Sequence, residues 1–181
     1  MHLEQINLSY IVKEDRILFR IGLSGETPEA EKNEVRMYIT RRLLQRMWPT
    51  LMEAMATHLR LNRPEAAFAS EEIVSMDHDQ AVNNIAQSGN FDQAYQTENR
   101  KVITGETPLL IETIQFHLQQ NALLWIQFYP TSGGTIDVKL NSELLHGFCK
   151  LLIDTEKLSE WGLGLQMPKS SETYVPSHML N

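Results

Sequence analysis

The chain has 181 residues, of which 42% are hydrophobic and 22% charged, proportions that are ordinary for a globular domain. This composition excludes collagen-like, mucin-like and wholly disordered chains. The longest aliphatic and aromatic run, residues 122–126, is far shorter than the ~20 residues of a membrane-spanning helix. The first residues do not resemble a secretory signal, and the single cysteine, Cys149, is typical of a reducing compartment. We therefore expect a cytoplasmic protein that does not enter membranes.

The formal net charge of −7 is concentrated in the middle of the chain. Residues 65–99 contain no lysine or arginine and seven acidic residues, whereas residues 1–64 carry a balance of +2 and residues 100–181 a balance of −2. The acidic residues of the middle segment are Glu65, Glu71, Glu72, Asp77, Asp79, Asp92 and Glu98. The acidic total therefore describes this segment and not the surface of the rest.

Three segments near the N-terminus alternate between apolar and polar side chains, a pattern typical of half-buried strands. They are residues 3–12, 16–23 and 35–39. Residues 13–15 form a tight polar turn, and residues 24–32 have the composition of a loop. After Thr40, a typical helix N-cap, apolar residues recur at helical spacing from Leu44 to Leu59. Pro49 either kinks this helix or begins a second one.

The same order of elements recurs towards the C-terminus. The alternating segments here are residues 110–118, 122–128 and 136–140, with a turn at residues 119–121 and a loop at residues 130–134. Asn141 is a typical N-cap, and a helix follows it as far as Trp161 and Gly162. Residue identity between the two parts is negligible, so their likeness is one of pattern.

Both parts predict a unit of three antiparallel strands followed by a helix, and therefore an α+β fold. The units cover residues 1–64 and 100–162, each a three-stranded meander covered by its own helix, and we expect them to combine into one pseudo-symmetric domain. Residues 65–99 are predicted to form an acidic connector, with modest helical periodicity over residues 65–88. Residues 163–181 are predicted to form an extended tail.

Sequence motifs typical of catalysis and of cofactor binding are not found. There is no P-loop, the Gly22–Gly25 stretch lacks the spacing of a nucleophile elbow, and Gly162-Leu-Gly164 lacks the setting of a dinucleotide site. Asp77-His78-Asp79 cannot converge on one metal ion from a helix, because adjacent residues point about 100° apart, so a solvated acidic face is expected there. Cys149 is predicted to be a buried structural thiol. We therefore predict a non-catalytic protein without a cofactor or metal.

The outward faces of the predicted sheets carry arginine and aromatic side chains. The candidate binding residues are Arg16, Arg20, Arg36, Tyr38, His117, Trp125, Tyr129 and Lys139. Aromatic residues and arginine are enriched in protein interfaces. They also suit single-stranded nucleic acid, because rings stack on bases and cations follow phosphates. A third interpretation is an ordinary solvated sheet face on which Glu34 and Asp137 neutralise the cations.

Two stretches of the chain carry a resemblance to known proteins. Residues 14–21 (EDRILFRI) and 36–42 (RMYITRR), followed by Trp48-Pro49, resemble a family of small uncharacterised bacterial proteins. This resemblance implies a bacterial cytoplasmic origin and no particular activity. The repeated strands-then-helix order is similar in topology to Whirly-type single-strand-binding proteins, although each unit here has three strands rather than four and lacks that family's Lys-Gly-Lys-Ala motif.

These observations favour a cytoplasmic binding or adaptor protein that acts through protein contacts, as a homo-oligomer or as a subunit of a complex. The alternative is a single-stranded DNA- or RNA-binding protein that uses the outward sheet faces. In that alternative the acidic segment, residues 65–99, acts as a built-in autoinhibitor. It docks either on the start of the first helix (Arg41, Arg42, Arg46) or on the cationic sheet face (Arg16, Arg20, Arg36).

Overall fold

The structure is a computed structural model that describes residues 2–25, 31–87, 95–118 and 124–168. These residues form an α+β fold, as predicted, with a seven-stranded, mostly antiparallel sheet and three α-helices. The strands are β1 (His2–Ile11), β2 (Arg16–Ser24), β3 (Lys32–Thr40), β4 (Arg100–Val102), β5 (Leu109–Leu118), β6 (Leu124–Pro130) and β7 (Ile136–Leu140). The helices are α1 (Arg41–Asn62), α2 (Ser70–Gln87) and α3 (Ser142–Ser159), and a 3-10 helix spans Pro64–Ala69.

The two predicted meanders lie side by side in one sheet, with the strand order β1-β2-β3-β5-β6-β7. Within each meander the strands are antiparallel, whereas β3 and β5 are parallel, with Met37 opposite Leu109 and Tyr38 opposite Leu110. The short strand β4 continues this parallel contact along the first residues of β3. The sequence does not predict β4, because three residues are too few for an alternating pattern to be recognised.

The sheet and the helices enclose a single core that includes residues of both meanders. Alternate side chains of β2 and β3 point into it, as the sequence predicts, and Phe19 of β2 is only 1% exposed. The ring centroid of Phe19 lies 5.8 Å from that of Phe128 in β6 and 5.1 Å from that of Phe148 in α3. The two meanders therefore do not have separate cores.

The helices are exchanged between the meanders, which corrects the prediction that each unit is covered by its own helix. α1 follows β3 but packs mainly against β5, the other neighbour of β3, whereas α3 packs mainly against β1. The parallel junction explains this exchange, because a helix that leaves the end of β3 lies beside the second meander and leaves β1 uncovered. Just after α3, the indole N–H of Trp161 donates to Asp15 Oδ1 at 2.7 Å, and its ring meets Tyr10 edge-on.

The acidic segment, residues 65–99, contributes side chains of its described residues to the core. Its helix α2 packs against α1 and α3, and it buries Val74 and His78. Arg63, just after α1, forms an ion pair of 3.3 Å with Asp77. α2 therefore belongs to the helical layer, on the opposite side of the sheet from Arg16, Arg20 and Arg36. This placement keeps the acidic side chains of α2 away from those three arginines.

The other acidic residues of the segment differ in exposure. Glu65, Glu71, Asp79 and Glu98 are exposed and Glu72 is half-buried, whereas Asp92 lies outside the described residues. None of the helices in the described ranges is both long and apolar enough to cross a membrane.

Several predicted boundaries shift in the structure. β1 ends at Ile11, so that Val12 lies in the turn and is 76% exposed rather than buried. β3 begins at Lys32, inside the predicted loop, because its first residues pair with β2 and β4. α1 continues through Pro49 without a break.

The first residues of the predicted tail belong to the folded domain. Leu165 is buried in the core, so the first six residues of the predicted tail, 163–168, pack against the folded domain. Residues 169–181 and the predicted turn at residues 119–121 lie outside the described part of the chain.

Candidate binding surface

The eight candidate residues lie on the face of the sheet opposite the helices, here called the outer face. Arg20 is opposite Arg36, and Trp125 is paired with His117 on one side and Lys139 on the other. Because β3 and β5 are neighbours, one surface carries candidates from both meanders. They form an arginine group on β2 and β3 (Arg16, Arg20, Arg36, Tyr38) and an aromatic patch on β5, β6 and β7 (His117, Trp125, Tyr129, Lys139).

Hydrogen bonds hold the rings of the aromatic patch in place. The Trp125 ring lies 4.5 Å from that of His117, and its indole N–H donates to Asp137 Oδ1 at 3.1 Å. Gln127 donates to the same oxygen at 2.8 Å, and its own side-chain oxygen lies 2.6 Å from His117 Nε2 and 3.1 Å from the Tyr129 hydroxyl. Because these half-exposed rings are already ordered, a partner that contacts them loses little binding free energy to side-chain ordering.

The aromatic patch also carries one exposed cation. The Lys139 ammonium lies 5.8 Å from the centroid of the Trp125 ring, within the range of a cation–π contact. Asp137, two residues away and equally exposed, already accepts two hydrogen bonds through Oδ1. The patch therefore presents one positive and one negative charge beside its rings.

The cations of the arginine group are all engaged with neighbouring side chains. The partners are Glu34 for Arg36, Asn7 and Tyr95 for Arg20, and Glu14 and Tyr38 for Arg16. Glu34 is completely buried, so removing Arg36 from it would leave a carboxylate without its counter-ion in the interior. The arginine group therefore does not offer a row of free cations to a phosphate backbone.

Sequence analysis missed two residues of the outer face, Tyr95 and Arg100. The Arg100 side chain is 1% exposed, crosses the backbone of Gly22 and forms an ion pair of 3.0 Å with Glu4. A Cβ atom at position 22 would lie 2.8 Å from Arg100 Cζ, so any other residue there would displace the guanidinium. The sequence signal that could have indicated this contact is Gly22, because a glycine inside a strand often marks the close approach of another group.

Tyr95 covers both arginines at this end of the sheet. The centroid of its ring is 4.7 Å from Arg20 Cζ and 5.8 Å from Arg100 Cζ. Burial, together with the neighbouring Glu34 carboxylate, raises the pKa of Tyr95 above its ordinary value. Tyr95 is therefore a neutral aromatic cover over the arginine group.

A groove of about 350 Å³ lies away from the candidate residues, between β1 and α3. Leu3 and Ile6 line it from β1, and Leu144 and Phe148 line it from α3. None of the eight candidate residues contributes to its lining. The groove therefore lies outside the aromatic patch, although Tyr95, which contacts Arg20, also lines it.

Cys149 is buried, as the sequence predicts. Its thiol lies 3.7 Å from the sulfur of Met55, and burial raises its pKa to about 12. A thiol that stays protonated and has no access to solvent is a poor nucleophile.

We expect Cys149 to react slowly with a water-soluble thiol reagent in the native protein and completely after denaturation. The chain has a single cysteine, so the absorbance of the released thiolate reports on this residue alone. Rapid labelling of the native protein at one equivalent per chain would contradict the burial of Cys149.

Three histidines that are scattered in the sequence meet between the helices. His78 and His146 are buried, with their ring centroids 5.5 Å apart, and His58 and His146 line a small cavity of about 120 Å³. Desolvation lowers the pKa of His78, and it lowers that of His146 to about 4. The prediction of a solvated face at Asp77-His78-Asp79 is therefore wrong for His78, which is buried. Within the described ranges, no three histidine, cysteine or acidic residues are grouped so as to hold a metal ion.

Comparison with protein-family models, with curated proteins and with solved structures finds no match for this chain. The resemblances to a small bacterial family and to the Whirly topology therefore stay predictions.

Proposed function

We propose that this protein is a non-catalytic binding module of the cytoplasm that recognises a partner protein through the aromatic patch of its outer face. The observation that carries this proposal is the set of half-exposed rings of His117, Trp125 and Tyr129. Hydrogen bonds fix them on the sheet face that no helix of the described residues covers. Ordered aromatic side chains beside a pair of opposite charges are typical of the centre of a protein interface.

A protein partner fits this surface better than a single-stranded nucleic acid does. The arginine group already has partners within the chain, and Asp137 places a carboxylate beside Trp125. The Asp137 carboxylate would repel a phosphate backbone that approaches this patch. Nucleic-acid binding therefore remains the alternative that an experiment must exclude.

We expect Trp125→Ala to abolish the capture of the partner while the protein stays folded. Trp125 is half-exposed, so its loss should lower the free energy of unfolding by only about 1–2 kcal/mol. The measurement is quantitative mass spectrometry of proteins captured by the immobilised full chain from the cells that produce it. Thermal unfolding of both proteins checks the fold.

Val12→Ala serves as the control, because Val12 is the exposed apolar residue of a turn outside the aromatic patch. Proteins captured by wild type and by this control, but lost with Trp125→Ala, support the proposal. Equal capture by all three contradicts it. Salt-sensitive binding of a mixed-sequence DNA or RNA oligonucleotide that Trp125→Ala weakens would establish the nucleic-acid alternative instead.

A further inference from the structure

β7 is an edge strand with a regular ladder on one side only. In the described part of the chain it pairs with β6 alone, from Ile136 to Leu140. An unpaired edge presents a row of backbone N–H and C=O groups that can template another strand. The opposite edge, β1, is less suited to pairing, because its ladder is irregular between Leu3 and Gln5 and the backbone N–H of Gln96 donates to the Gln5 side chain there.

The side chains of β7 are complementary to themselves when the strand is reversed. Asp137 and Lys139 are exposed on the outer face, one residue to either side of Val138. In an antiparallel pair centred on Val138, Asp137 of each copy is opposite Lys139 of the other, and Ile136 is opposite Leu140. Opposite charges and apolar residues in direct cross-strand positions both stabilise a sheet.

We propose that β7 pairs in this register with β7 of a second copy of the chain, so that the protein is a homodimer with a continuous sheet across its two-fold axis. A lysine on an edge strand commonly prevents pairing. Here Asp137 supplies the counter-charge in the register centred on Val138. Asp137 Oδ1 accepts bonds from Trp125 and Gln127, and no hydrogen bond within the described residues engages Oδ2.

The dimer would place two aromatic patches on one surface. A two-fold axis perpendicular to the sheet keeps both outer faces on the same side and both helical layers on the other. Because Trp125 lies on β6, next to the pairing edge, the two Trp125 residues are three strand spacings, about 14 Å, apart across the strands and two residues apart along them. The dimer goes beyond the proposed function, since pairing at β7 requires no partner protein.

The first test is the mass of the full-length protein, measured by sedimentation velocity over a series of concentrations. We expect a concentration-dependent equilibrium between one and two chains. A wild-type protein that sediments as a single chain up to its solubility limit would overturn the proposal. This result would leave the aromatic patch untouched, so the two proposals can fail separately.

Charge reversal tests the register. Asp137→Lys and Lys139→Asp each place like charges opposite one another twice, so each variant alone should lose the dimer at concentrations where wild type is dimeric. An equimolar mixture of the two variants should form a heterodimer, because every cation then faces a carboxylate. The double variant D137K/K139D should dimerise again.

Two controls change the same charges elsewhere on the surface. Glu112→Lys and Lys157→Asp alter exposed residues of β5 and α3 and should leave the dimer unchanged. Circular dichroism checks each fold, and if Asp137→Lys fails to fold, Asp137→Asn removes the charge while keeping an acceptor for Trp125. Asn should weaken the dimer by about 2- to 30-fold. A dimer that survives both single reversals, or a mixture of folded variants that stays monomeric, would overturn the register.

Discussion

Phe19→Ala should lower the free energy of unfolding by about 3–5 kcal/mol, the range found when a buried phenylalanine is truncated in a packed core. Phe19 is 1% exposed and contacts Phe128 of the second meander and Phe148 of α3, so its removal opens a cavity between both halves of the protein. Urea denaturation followed by circular dichroism measures this loss as a shift in the transition midpoint.

Phe68→Ala is the matched control, because Phe68 is 92% exposed and the same truncation there should change stability by less than about 0.5 kcal/mol. Wild type and both variants should unfold in one cooperative transition, since the meanders share a core. Two separate transitions, with only one of them shifted by Phe19→Ala, would mean that the meanders fold independently.

The protein should lose about 3 kcal/mol of stability through His146 as the pH falls from about 6.5 to about 4. Burial lowers the pKa of His146 from 6.5 to about 4, so the folded protein keeps the ring neutral while the unfolded chain takes up a proton below pH 6.5. The stabilisation by the neutral ring is therefore complete above pH 6.5 and falls as the pH drops. His78 lies against His146, and its lowered pKa adds a loss of the same sign.

The effect of His146 can be separated from ordinary acid denaturation by substitution. Asp79, Lys150 and Asp154 act on His78 and set the charge around the pair. We expect the stability of His146→Phe to fall less steeply than that of wild type between pH 7 and 4.5, whereas the exposed-site variant His2→Gln should follow wild type. Identical slopes for wild type and His146→Phe in urea titrations would contradict the burial of a neutral ring.

The faces of the strands could be predicted from the sequence because alternation is a local property. Residues two apart in a strand share a face whatever the strand's neighbours are, so Arg20, Trp125 and Lys139 could be assigned to the outer face without knowledge of the topology. The same pattern says nothing about which strands are adjacent. The pairing of β3 with β5, and the resulting exchange of α1 and α3, depend on contacts between distant residues and were not predicted.

The burial of side chains in the acidic segment could not be predicted from the sequence either. α2 has a narrow apolar stripe, and its buried residues include His78, whose polar ring gives no sign of burial in a sequence pattern. Its burial depends on His146, a residue of another helix, against which it packs. Tyr95 and Arg100 were not predicted for a similar reason, because each acquires its role only through contacts with residues distant in the sequence.

The exchange of helices has a consequence for how the chain folds as it leaves the ribosome. β1 is complete at Ile11, but the helix that covers it does not begin until Ser142. At ~5–20 residues per second, roughly 7–26 s of translation separate the two. During that time the apolar side of β1 and β2, with Leu8 and Phe19, lacks the cover that α3 provides. A nascent or prematurely terminated chain that lacks α3 thus exposes an apolar sheet face, the kind of surface on which chains aggregate and which chaperones bind.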